Sequence, residues 1–395
     1  AGTAGTTTPT TQVSSTIAGL TAPVGPDGSL TVTGSNLTRA SVSEGARIIA
    51  VGAVDVVALD DTTVDLQVSD NSGATRLETS LFVVGFDAGR LVVTTDLTRV
   101  TTASVSGPAG GPSGTPIITS GSFTSSATNT GLIDGRVLSD LVGVVNQAVD
   151  ASATASVTNA AVSTGLASVS ALDHTVVRAS AINAQTDVSG SVSAIATDVD
   201  ITATGLTLRA SDRAVLEALA GGLSVDTSVG LVSLSGLRAS NNFNRPTTAA
   251  LSSSTVHSTG DVSLDATSSP RITARVAPTT ETGSITGDAS LVMVALAGAL
   301  AVNALRGGAT ARIADSTVEA RAILVAASAH DAVIDATTAF APSLRDTPST
   351  GHVMGAVIAL NVIGQDISTD ALIALNLVEA VLGSTFAGAT PSPFV

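Results

Sequence analysis

Residues 201–210 read Ile201-Thr-Ala-Thr-Gly-Leu206-Thr-Leu208-Arg-Ala210, and the same phrase returns twice more. It appears as Val256-His-Ser-Thr-Gly-Asp-Val262-Ser-Leu264-Asp-Ala266, and again as Val318-Glu-Ala-Arg-Ala-Ile323-Leu-Val325-Ala-Ala327. In each copy apolar residues alternate with Thr, Ser, Asp or Arg, the period-two pattern of a strand with one buried face. A short turn splits each copy. Each is then followed by a further match, Leu216-Glu-Ala218, Ile272-Thr-Ala274 and Ile334-Asp-Ala336. Between the blocks, Leu300-Ala-Val-Asn303 recurs as Ile358-Ala-Leu-Asn361. These independent anchors share one loose period of roughly 55–62 residues, which marks a repeat array. A shortened fourth copy opens at Val378-Glu-Ala380.

No helical pattern of 10–15 residues separates the strands of these blocks, which disfavours helical crossovers. Short strands that turn and return in register describe a winding chain. The expected fold is therefore all-β, a right-handed parallel β-solenoid (β-helix) over 151–395 with an irregular β-rich region before it. At roughly 20 residues per coil the repeat would hold about three coils. Stacked at ~4.8 Å, residues 151–395 would then form a rod on the order of 55–60 Å long. Val262, Leu264, Ile272, Ile323, Val325 and Ile334 are expected to point inward. Asn303 and Asn361 read either as rungs of an interior Asn ladder or as corner residues.

Composition agrees with stacked layers. Of 395 residues 44% are apolar, yet there are seven Phe and no Trp, Tyr or Cys. Large cores ordinarily use aromatics to fill irregular space, whereas identical layers can pack small aliphatic residues on copies of themselves. Without Cys there are no disulfides and no thiolate metal sites. All seventeen basic residues are Arg, and the net charge is −15, which argues against nucleic acid as a partner. The chain begins at Ala1, read as a processed or excised product with no signal peptide left to see.

Along the chain, residues 1–28 read as a leader or linker. Residues 29–105 are β-rich, either a separate domain or the opening coils of the solenoid. Residues 106–130 are a Gly/Pro/Ser/Thr-rich linker or loop. Over 131–150, Ile133, Val137, Leu138, Leu141, Val144, Val145 and Ala148 fall at helical spacing, a capping helix against the alternative of two short strands. Solenoid repeats of about 55–62 residues fill 151–395. The uncharged run Ala289–Leu305 is short for a spanning helix, is broken by Gly298 and lacks aromatic belts. It is expected as buried strand, with Val292, Val294, Leu296, Leu300 and Val302 covered.

The stretch Ala311-Arg-Ile-Ala-Asp-Ser-Thr-Val-Glu-Ala320 and the later Val353-Met-Gly-Ala-Val-Ile-Ala-Leu-Asn-Val-Ile363 resemble the repeats of large filamentous adhesins. These are the haemagglutinin-like and leukotoxin-like surface proteins of Gram-negative bacteria, and the likeness spans about residues 150–385. Insertions at 239–248 and 341–351 depart from it. The resemblance implies a secreted β-helical segment at the cell surface, with no catalytic residues to carry over. A weaker likeness is to bacterial surface-layer proteins, which are also acidic, Thr/Ala/Gly-rich and Cys-free.

The function expected from these readings is a structural extracellular segment of a surface adhesin or fibre, not an enzyme. Its partners would be copies of itself or a host or cell-surface glycan or protein, with no transmembrane segment. The alternative is a self-assembling surface-layer or filament subunit, and a third reading is a polysaccharide-processing β-helix. For that third reading the candidates are Asp60-Asp61, Asp198 with Asp200, and Arg209, Asp212 and Arg213. Asp198-x-Asp200 would set two carboxylates on one strand face, an acid pair or a calcium site. No Trp or Tyr is present to stack on sugars. The four His, at 174, 257, 330 and 352, form no ligand or catalytic pattern, and no cofactor is expected beyond calcium.

Overall fold

The computed structural model describes residues 10–24, 28–43, 45–70, 90–108, 116–138, 142–221, 232–277, 293–329, 331–338 and 351–364. All regular structure in them is strand. In chain order these are β1 Thr10–Val24, β2 Gly28–Val42, β3 Arg47–Ile49, β4 Ala53–Asp70, β5 Arg90–Ser106, β6 Ile117–Leu138, β7 Val142–Thr158 and β8 Ala161–Ala181. Then come β9 Asn183–Ser189, β10 Val192–Thr197, β11 Asp200–Asp212, β12 Val215–Gly221, β13 Val232–Asn244, β14 Thr247–Ser252, β15 Thr255–Ser258 and β16 Asp261–Ser268. The last are β17 Arg271–Ala277, β18 Met293–Arg306, β19 Ala309–Ala314, β20 Thr317–Glu319, β21 Ala322–Ser328, β22 Val333–Thr338 and β23 Gly351–Ile363.

The strands form two curled sheets of thirteen and ten strands, here the major and minor sheets. The chain alternates strictly between them. β1 lies in the major sheet, β2 in the minor, β3 and β4 in the major, β5 in the minor, and so on to β23 in the minor. Neighbouring passes pair in parallel throughout, as in β6 on β4, β8 on β6, β7 on β5 and β18 on β13.

Register shows what one repeat is. Val262 sits beside Leu206, and Ile323 beside Val262, so a repeat is a single major pass plus a single minor pass. It is not three coils. The Thr-Gly and Ser-Pro breaks within a block, which resemble a complete turn and return, are bends inside one pass: β15, β16 and β17 follow one another along a single rung of the stack. Seven passes in the major sheet span six steps of ~4.8 Å, about 29 Å. The stack is thus shorter and its rungs longer than the coil reading implies.

The other expected segments also resolve. In place of a capping helix over 131–150, the structure has the end of β6 and most of β7. Burial in β6 and β7 follows period two, with Ile133, Val145 and Val149 buried, so the helical spacing of their apolar residues is coincidental. Ile117–Thr130, within the expected linker, is β6, and Thr10–Val24, within the expected leader, is β1 paired with β4. The described parts of 29–105 join the same two sheets, β2 beside β5 and β5 beside β7. No helix of the described residues is long and apolar enough to cross a membrane. Residues 293–305 of the uncharged run belong to strand β18, Met293–Arg306.

Minor pass turns into major pass through a short corner that repeats. Asn159, Asp198, Ser253 and Asp315 occupy it with φ of 49–52°, the left-handed region that short polar side chains tolerate best. The first three donate their N–H to the next rung, Asn159 to Thr197 O, Asp198 to Ser252 O and Ser253 to Ala314 O. Within the minor pass a second bend falls at Gly190, φ 109°, where a Cβ would overlap the Ala151 carbonyl oxygen.

Inward side chains form two apolar clusters. One gathers Val56, Ala127, Val169, Leu208 and Leu264 with Ala155 and Ala194; the other gathers Val64, Ile133, Val177, Leu216 and Ile272 with Ala239 and Phe243. Val262, Leu264 and Ile272 are fully buried, as expected. Ile323 and Val325 stack in register on Val262 and Leu264 but are 49% and 44% exposed, and Ile334 is partly exposed, because they lie on the last described pass of the major sheet. In β18, Ala299, Ala301 and Asn303 face the interior cluster, while Leu300 and Val302 are buried on the opposite face beside Ile358, Leu360 and Val362. That stretch is covered on both sides, as the uncharged run requires. The side chains of Val292, Val294 and Leu296 lie outside the described residues.

Position in the stack sets the mutational response. Leu264→Asp puts an unpaired charge in a sealed ladder and should lower stability by about 4 kcal/mol or more. Val325→Asp, on the last described pass, should lower it by less than half as much. Urea unfolding of the two variants checks the order; equal losses would contradict the assigned register.

Candidate functional site: a buried ionic seam and an amide ladder

The two apolar clusters are separated by a polar seam where the sheets bend. Its major-sheet side is the column Asp60, Asn129, Asp173, Asp212 and Ser268, each beside the next in register. Its minor-sheet side begins Asn36, Arg99, Ala151 and continues, by the register on either side, through Gly190 and Arg245. Asp60, Arg99, Asn129, Asp173, Asp212 and Arg245 are all buried to within 1% of complete. Charges so placed must find partners, and each does.

Arg99 lies at the lower end. Its Nε donates to Asp60 Oδ2 at 3.1 Å, its Nη1 to Thr175 Oγ1 at 3.1 Å, and its Nη2 to the Thr130 carbonyl at 2.5 Å. It thereby spans three successive major passes from a single point of the minor sheet. Gly131 leaves the room: a Cβ there would lie 3.1 Å from Arg99 Nη1. Asp60 also accepts from Thr62 Oγ1 at 2.7 Å and Asn36 Nδ2 at 3.1 Å. Asn129, between Asp60 and Asp173, accepts from Thr101 Oγ1.

Arg245 enters from the upper end. Its Nη1 meets Asp173 Oδ1 at 2.7 Å and Asp212 Oδ1 at 3.3 Å, and its Nε donates to the Ser189 carbonyl at 3.4 Å. Its guanidinium carbon lies 5.7 Å from the Phe243 ring centre, a cation–π contact. The two arginines are linked through one strand, because Thr175 donates its N–H to Asp173 Oδ1 at 3.0 Å and its Oγ1 to Asp173 Oδ2 at 3.3 Å. A continuous path therefore runs Asp60–Arg99–Thr175–Asp173–Arg245–Asp212. Burial pushes the Asp212 carboxyl up to about 6, opposed by the attraction of Arg245 and reinforced by the charge of Asp173.

A second polar column lies in the minor sheet: Thr95, Gln147, Thr186, Asn241, Asn303 and Asn361 in register. Thr186 Oγ1 donates to Asn241 Oδ1 at 2.5 Å, Asn241 Nδ2 to Asn303 Oδ1 at 2.7 Å, and Asn303 Nδ2 to Asn361 Oδ1 at 2.9 Å. Asn303 Nδ2 also donates across to the Asp335 carbonyl at 2.7 Å. Asn303 and Asn361 are thus ladder rungs rather than corner residues, and Asn241 extends the ladder downward from within the insertion at 239–248.

The other candidates read from sequence do not come together. Asp60 points inward and Asp61 outward, as adjacent residues of a strand must. Asp198 and Asp200 are both exposed, the first as a corner residue. Arg209 faces out and pairs with Asp265 at 3.6 Å, Asp212 faces in, and Arg213 is exposed. His257 contacts Glu319 at 2.9 Å on the surface, and His174 is exposed; the side chains of His330 and His352 lie outside the described residues. Among the described residues no three His, Cys, Asp or Glu gather as a metal site.

Sequence reading missed Arg99 and Arg245 because each stands in a stretch without the repeat phrase. A signal was present all the same: Asp60-x-Thr62 and Asp173-x-Thr175 place polar residues at positions where the alternation calls for apolar ones. The seam's chemistry is charge neutralisation inside a sealed interior. Arg245→Met would leave Asp173 and Asp212 buried without a cation and should lower stability by ~3–5 kcal/mol at pH 7. Asn303→Ala should lower it by ~1–3 kcal/mol, since it strands the Asn241 amide donor and the Asn361 acceptor. Thermal melts of both variants check these values. Comparison with known protein families, curated proteins and solved structures finds no match for this chain, so its function has to be inferred from the geometry above.

Proposed function

We propose that the two sheets close into a right-handed β-solenoid serving as a structural segment of an extracellular adhesin or surface fibre, without catalysis. The observation that carries this reading is where the reactive side chains are spent. Asp60, Arg99, Asp173, Asp212 and Arg245 are sealed inside and bonded to one another, and the amides of Asn241 and Asn303 are used along the stack. On the surface, charges pair between adjacent passes: Arg178 with Glu217 at 2.7 Å, and Arg321 with Asp261 at 2.8 Å. Both patterns serve a stack that keeps its shape. The likeness of 311–320 and 353–363 to filamentous adhesin repeats supports the same assignment, with a host or cell-surface glycan or protein as the partner.

A self-assembling filament or surface-layer subunit is the second reading. It is favoured by the apolar side chains exposed on the last described passes, among them Leu324, Val333, Val357 and Ile363. Among the described residues these passes have no further neighbour, and an apolar edge in that state is a template for another strand.

The purified chain should bind a panel of immobilised cell-surface glycans and proteins, sediment as a single species at micromolar concentration, and release no sugar from acidic polysaccharides. Reversible polymer growth, with or without calcium, would replace the first reading with the second. Sugar release would overturn both.

A further inference from the structure

The upper end of the seam does not balance in charge. Around Asp212 the charged groups are Asp173, from β8, and Arg245, from the bend between β13 and β14. Among the described residues the rung above offers neutral Ser268 and Ser269, the latter donating to the Asp212 main-chain oxygen. Arg99 is committed to Asp60, Thr130 and Thr175. One guanidinium therefore faces two carboxylates, and all three groups are fully buried. Both carboxylates meet Arg245 through the same nitrogen, Nη1, and Asp173 holds it more closely, at 2.7 Å against 3.3 Å. Asp173 is further satisfied by Thr175, through both its oxygens. Asp212 receives the Ala214 N–H on Oδ1, but among the described residues its Oδ2 has no hydrogen-bond partner.

We propose that the seam is a proton-binding site, with the proton on Asp212 Oδ2, and that the fold is consequently more stable in mildly acidic surroundings than at neutrality. A protonated Asp212 reduces the cluster to one anion and one cation, which is the arrangement a sealed interior tolerates. The raised titration of Asp212, at about 6 against an ordinary 3.8, agrees with this geometry.

The direction follows from linkage. A carboxyl that titrates higher in the folded chain than in the unfolded one makes the folded state hold more protons between those two values. Its stabilising contribution is complete below about 3.8 and is lost as pH rises through about 6. Asp187, half-buried on β9, is also held above its ordinary value by burial, against its bond from Asn242 and the charge of Arg306. It acts in the same direction and serves as the control.

The experiment compares urea unfolding of the intact chain, Asp212→Asn and Asp187→Asn from pH 4 to pH 7. Asn keeps the shape of Asp and leaves the Arg245–Asp173 pair in place. The folding constant of Asp212→Asn, relative to the parent, should rise about 50-fold or more between pH 4 and pH 7. That of Asp187→Asn should change less. Carbon-detected NMR of the parent supplies a measurement independent of any variant, with the Asp212 carboxyl titrating well above 4. An Asp212 carboxyl titrating at or below its ordinary value would overturn the proposal. So would an unchanged pH slope in Asp212→Asn, or a raised titration carried by Asp173 instead.

Discussion

The fold depends on the burial of two guanidinium groups between sheets that otherwise hold mostly aliphatic side chains. An arginine placed in such an interior is tolerable only if carboxylates and carbonyls reach it, and most of those partners come from the opposite sheet. Arg99 requires Asp60, Thr130 and Thr175 to lie where they do, and Arg245 requires Asp173, Asp212 and Ser189. Because each arginine bridges several passes, a slip of one strand by a single position would turn a carboxylate outward and abandon a cation. Hydrophobic columns alone discriminate less sharply, since Val and Ala are interchangeable between neighbouring rungs. The seam and the amide ladder therefore set the register, and the aliphatic clusters on either side supply most of the burial.

This division of labour explains how the stack accommodates passes of unequal length. In one column of the minor sheet Ala153 of β7, Val192 of β10, Thr247 of β14 and Ala309 of β19 are neighbours, although each step along the chain is longer than the one before. Part of the added length lies within β13, whose Val232–Leu237 pairs with β18 but not with β9, while Arg238–Asn244 keeps the register of β9. Short left-handed corners at Asn159, Asp198, Ser253 and Asp315 keep the minor-to-major turn constant from pass to pass. Gly190 is required between Ala151 and Arg245 for a different reason, since its left-handed φ and the Ala151 carbonyl leave no room for a Cβ.

The candidate site was legible only in part. The Asn303–Asn361 pair showed in the sequence because it falls within a repeated phrase, and its ladder role is what the structure displays. Asp212 stood among the candidates, grouped with Arg209 and Arg213, neighbours that a strand necessarily sends elsewhere or exposes. Its true partners are Asp173 on the pass before it and Arg245 at the bend of a later one, and nothing local announces them. Arg245 lies in a stretch that breaks the repeat, which made it look like loop when it is the most deeply partnered cation of the upper seam.

By itself the sequence determined that the chain is β throughout the repeats, which residues alternate inward, and that equivalent positions recur with one loose period. Those properties follow from side-chain periodicity and composition, which are local. Only the tertiary structure decided that a repeat is one long pass in each sheet rather than three short coils, because a bend within a pass and a return to a new one use the same Gly, Ser and Pro residues. It also decided that 131–138 and 142–150 are strand, since pairing with neighbouring passes outweighs an accidental helical spacing. And it alone assembled the seam: the pairing of Arg99 with Asp60 and of Arg245 with Asp173 and Asp212 depends on which passes become neighbours across the interior, and that is settled by how the two sheets pack, not by any stretch of chain.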